Sequence, residues 1–146
     1  MDVYLIMGAA KTRKSATIRC LTGLGSRQVC DIQLLQGNKI DIFTHIRALQ
    51  EQGIAPDKFI ADIKKESHTN LLIPLRIKKA NRCPDGDEYI MKFQKTGWNI
   101  MPIFVLGTQS NASLSALNLN IQFIATSAQN PNNHNANIVK KTWGWA

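Results

Sequence analysis

A continuous apolar run, VYLIM (Val3 to Met7), ends at Gly8 and passes at once into the basic stretch AAKTRKS. That junction constrains the fold more than any other part of the chain. A short run that is apolar at every position suits a strand buried on both faces, the kind found in parallel sheets covered by helices. The next segment, KSATIRCLTG, reads as a short helix that starts near Lys14 and is stopped by Gly23. Strand, glycine-led turn and helix in immediate succession aim loop amides and a helix N-terminus at one spot, and such a spot stabilises an anion.

Further elements follow from patterning. Apolar and polar residues alternate on both sides of Gly37-Asn38, a favoured tight-turn pair, which predicts an antiparallel hairpin. IRALQEQG predicts a short helix ending at Gly53. Pro56 opens a second helix, on which Phe59, Ile60 and Ile63 share a face. NLLIPLRI (70–77) reads as a strand whose Pro74 predicts an edge position or a bulge. PDGDEYIMKFQKTG reads as a helix with acids at its start and Gly97 at its end. NIMPIFVLG (99–107) and NIQFIATS (120–127) read as strands, and the Asn-rich NPNNHNAN as a loop or mobile segment. Trp143 and Trp145 in the last segment, IVKKTWGWA, are expected to pack on the protein's own core. This order describes an α/β fold, a three-layer α/β/α sandwich with a mostly parallel sheet and one antiparallel pair. With 146 residues, 44% of them hydrophobic, one domain over 1–146 with one core is expected.

No apolar run reaches the roughly 18 residues that cross a bilayer. The N-terminus lacks the basic start of a signal peptide, so a cytoplasmic location and no membrane partner are expected. Cys20, Cys30 and Cys83 form no C-x-x-C pair and read as reduced thiols. Lys plus Arg number 18 against 10 Asp plus Glu, a formal charge of +8 that favours anionic partners without choosing among them.

Within GAAKTRKS, Gly8 permits the turn, Lys14 brings a cation and Ser15 a hydroxyl to the start of the helix, and Thr17 is close enough to add a polar contact. The segment resembles the P-loop of P-loop NTPases, G-x-x-x-x-G-K-[ST], with Arg13 in place of the second glycine. The resemblance implies a nucleotide site on Gly8, Ala9, Ala10, Lys11, Thr12, Arg13, Lys14, Ser15 and Ala16. It implies a nucleoside triphosphate with Mg2+ as ligand, and Lys14 with Arg13 as the groups that stabilise charge on a transferred phosphoryl group. Arginine brings a five-donor fork to that position but loses glycine's torsional freedom. Ser15 with Asp31 or Asp41, on the hairpin, is the expected metal set, because neither LLIPLRI nor PIFVLG ends in an acid. Gln33 and His45 are available to position water, with nothing fixing their direction.

A fainter likeness to the Ras-like small GTPases lies in the hairpin and in FIATSAQ, where Thr126, Ser127 and Ala128 match the family's E-T-S-A-K stretch. The guanine motif N-K-x-D has become Thr108, Gln109, Ser110, Asn111, so its guanine-reading aspartate is missing. Two other readings stand beside nucleotide binding and possible hydrolysis. One is a non-enzymatic interaction module with a protein partner. The other is nucleic-acid binding through RIKKANR and the basic, Trp-bearing tail, which is less favoured because a solvated charged face is commoner.

Overall fold

The sheet is built around β1 (Asp2–Gly8), whose residues from Val3 to Gly8 are all buried. Side chains of Val3, Leu5 and Met7 enter one core; those of Tyr4 and Ile6 enter the other. This is the alternation of a strand covered on both faces. The computed structural model describes residues 1–146. Its further elements are α1 (Lys14–Thr22), β2 (Gln28–Gln33), β3 (Lys39–Thr44), α2 (Pro56–Lys64), β4 (Asn70–Leu75), α3 (Gly86–Lys95), β5 (Asn99–Ile100), β6 (Ile103–Leu106), α4 (Ala112–Ser115), β7 (Ile121–Ile124) and α5 (Asn132–Trp143).

The sheet has seven strands in the order β2-β3-β4-β1-β6-β7, with β5 also on β1. Only β2 with β3 is antiparallel. The chain is therefore an α/β protein with a mostly parallel sheet. Helices α2, α3 and α4 cover one face through Phe59, Ile63, Tyr89, Phe93 and Leu114. Helices α1 and α5 cover the other through Ile18, Leu21, Val139 and Trp143. Trp143 and Trp145 are buried in that second core, beside Tyr4. No helix is long and apolar enough to cross a membrane.

Several elements differ from their sequence-based expectation. IRALQEQG forms no α-helix; it runs through turns to Gly53. Leu49 N–H donates to Pro74 O, so the segment continues alongside β4 instead of coiling. Pro74 is not on an edge: β4 lies between β3 and β1. It is tolerated because its carbonyl side faces Leu49, beyond the point where β3 ends at Thr44, so the missing N–H breaks no ladder bond. The strand expected over 99–107 breaks at Met101-Pro102 into β5 and β6. The one expected over 120–127 stops at Ile124 and turns.

NPNNHNAN is largely helix, not loop, since α5 begins at Asn132 directly after Pro131. Its asparagines serve packing. Asn135 is fully buried, donates to Ser127 O and accepts from Asn130. Helix α4 carries no strong apolar period; Asn111 starts it by accepting from Leu114 N–H at 2.6 Å.

Candidate functional site

The loop from Gly8 to Arg13 leaves the C-terminal end of β1, between the ends of β4 and β6. Gly8 is required by space: a Cβ there would lie 2.6 Å from Leu106 O and 2.7 Å from Thr12 Oγ1. Lys11 and Arg13 both take left-handed backbone, with φ of 62° and 74°. Alternating handedness curls a loop so that successive amides point inward. Not one backbone amide from Ala10 to Ala16 donates to a backbone carbonyl or a side chain of the protein. The last of these amides belong to the first turn of α1, where the helix dipole adds positive potential.

Side chains complete the concavity. Ala9 O accepts from Thr12 Oγ1 at 2.8 Å and from Lys14 Nζ at 2.7 Å. Lys14 is only 6% exposed. Burial pulls its pKa down to about 8; Glu51 opposes that shift and Arg76 adds to it. Ser15 Oγ donates to Ile46 O at 2.9 Å, which leaves its lone pairs open. A cavity of about 340 Å³ is lined by Lys11, Arg13, Lys14, Ser15, Arg19 and Glu51, together with Ala10 and Ala16. Cations thus outnumber acids in the lining by four to one. Compared with protein-family models, curated proteins and solved structures, the chain matches none of them.

The residues singled out in the sequence do not all gather here. Gly8 and Ala9 form the turn, Thr12 braces it, and Ala10, Lys11, Lys14, Ser15 and Ala16 line the cavity. Arg13 lines it as well, but its guanidinium reaches outward. Nε donates to Ala128 O at 3.0 Å and Nη1 to Asn132 Oδ1 at 3.1 Å. The side chain therefore ties the loop to the β7–α5 turn and the start of α5. Thr17 is fully buried, with its hydroxyl unpartnered.

Asp31 and Asp41 are not brought to the loop. They face each other across the hairpin, and the register places Asp41 beyond the N-terminal end of β1. The loop leaves the opposite end. Hydrogen bonding with Asp31, and its charge, raise the pKa of Asp41. Gln33 is spent on the hairpin turn, donating to Gly37 O. His45 is a core ring between Phe43 and Phe59, which burial holds neutral with a pKa near 4.

Sequence reasoning missed Glu51, the single acid in the lining, and Gln50 beside it. Both sit in a segment that reads as helix, and QEQ carries no periodic or motif signal. Among the lining residues, Ser15 carries a hydroxyl and Glu51 a carboxylate, hard oxygen ligands of the type magnesium takes.

Proposed function

We propose that the loop binds the phosphates of a nucleoside triphosphate. The observation that carries this reading is the unbroken run of unpartnered amides from Ala10 to Ala16, curled around a buried lysine. Unpaired amides are costly unless solvent or a ligand satisfies them, and phosphate oxygens accept several at once. Lys14 rests on Ala9 O at 2.7 Å; on binding it would exchange that carbonyl for a phosphate oxygen. Its desolvated ammonium then meets a full negative charge, which restores its proton affinity.

Magnesium, when bound, neutralises phosphate charge and orients the terminal phosphoryl group. In this chain Ser15 would offer its hydroxyl to the metal. Arg13 serves the site through its left-handed backbone, while its side chain fixes the loop to α5. Lys14 is the group placed to stabilise charge that develops on a transferred phosphoryl group. Recognition of guanine is not favoured. Asn111, which stands where the Ras-like likeness puts the guanine-reading aspartate, is spent on capping α4.

A melting screen against ATP, GTP, CTP and UTP, each with MgCl2, tests this. A native-state ligand at 100 times its Kd stabilises by about 2.7 kcal/mol. The parent protein should melt higher with at least one triphosphate, with GTP no more effective than ATP, and Lys14→Ala should lose the shift. Equal shifts in parent and Lys14→Ala would refute the phosphate role of Lys14.

A further inference from the structure

We propose that Glu51, on the connection between β3 and α2, is the carboxylate that holds magnesium beside the phosphates. The inference rests on the triphosphate reading of the loop. The strands that converge on the cavity supply no acid: β1, β4 and β6 lead into Ala9, Arg76 and Gly107. Asp31 and Asp41 lie at the other end of the sheet. Glu51 lines the same cavity as Lys14 and Ser15. Magnesium in nucleotide sites keeps several waters and uses one or two carboxylates plus phosphates, so a single well-placed acid is sufficient.

Two features make Glu51 suitable. First, its carboxylate is uncommitted. It makes no hydrogen bond, and its ion pair with Arg76 spans 3.8 Å, with both side chains 28% exposed. That separation is too long for a hydrogen bond, so the oxygen lone pairs stay open. Arg76 meanwhile offsets the repulsion between Glu51 and bound phosphates.

Second, the backbone that carries Glu51 is pinned on both sides. Gln50 is fully buried; it accepts from Arg76 N–H at 2.9 Å and donates to Arg76 O at 2.9 Å and Pro84 O at 3.3 Å. The carbonyl of Glu51 accepts from Asn81 Nδ2 at 3.1 Å. Asn81 itself sits in a tight turn with left-handed backbone, φ 49°. A loop residue held in this way has the fixed position that a metal ligand needs.

Calorimetric titration of ATP into the parent and into Glu51→Gln, in EDTA and in excess MgCl2 at constant ionic strength, tests the assignment. In the parent, magnesium should tighten ATP binding. In Glu51→Gln that gain should shrink at least tenfold, while binding in EDTA stays equal or improves because a negative charge near the phosphates is gone. Glu51→Asp keeps the charge on a shorter stem and should recover part of the gain; it also serves if the Gln variant fails to fold. An equal magnesium gain in parent and variants would make Glu51 a mere counter-ion of Lys14 and Arg76 and overturn the proposal. So would a parent indifferent to magnesium. A parent that binds ATP in neither condition would remove the triphosphate reading, and this inference with it.

Discussion

Lys14 is buried without a carboxylate in direct contact, and its ammonium rests on Ala9 O. A lysine whose pKa falls to about 8 in the folded protein is under-protonated, relative to the unfolded chain, between about pH 8 and its ordinary value of 10.5. The unfolded state then binds more protons, so this residue's contribution opposes folding at neutral pH and improves as pH rises through that window. Phosphate binding at the loop, as proposed, would reverse the balance by holding the ammonium charged. Binding should therefore take up protons above pH 8, and affinity for ATP should fall as pH rises from 8 to 10. Titrations at pH 8.5 in buffers of different ionisation enthalpy measure that uptake. No proton uptake in the parent, or the same uptake in Lys14→Ala, would mean that Lys14 does not meet the phosphate.

At the scale of elements, the strand–loop–helix unit was legible because each part has its own local signal. VYLIM is apolar throughout, Gly8 is the residue that fits against Leu106 O, and Gly23 ends α1 in the left-handed conformation. The hairpin at Gly37-Asn38 and helices α2 and α3 were legible for the same reason. What was not legible depends on partners remote in sequence. Glu51 reaches the site because the buried Gln50 binds the backbone of Arg76, 26 positions away. α5 starts among asparagines because Asn135 has Ser127 O to satisfy.

Arg13 is the clearest such case. A glycine-like backbone is retained there by an arginine whose side chain crosses to Ala128 and Asn132. Left-handed backbone costs a non-glycine residue roughly 1–2 kcal/mol. Arg13→Ala keeps that strain and loses both hydrogen bonds; Arg13→Gly loses the bonds but relieves the strain. The Ala variant should therefore be less stable than the Gly variant by about 1 kcal/mol, and less stable than the parent. Urea unfolding midpoints measure the order. An Ala variant as stable as the parent would show that the tie between loop and α5 contributes nothing.

Across the whole molecule, the parallel strands deliver their C-terminal ends to one edge, and the loop emerges there from the central strand. In open α/β sheets that edge is where connections diverge and ligands are received. The chain also gathers cations at it, with Lys11, Arg13, Lys14 and Arg19 around one cavity, in a protein of formal charge +8. Fold and charge thus place a cation-lined cavity at the head of α1, where the proposed triphosphate would sit. A crystal structure of the protein with ATP and MgCl2 tests this most directly. Phosphate oxygens should lie within hydrogen-bond distance of the amides between Ala10 and Ala16, with Lys14 Nζ moved from Ala9 O onto a phosphate. Triphosphate bound elsewhere, with Lys14 still on Ala9 O and those amides facing only water, would contradict it.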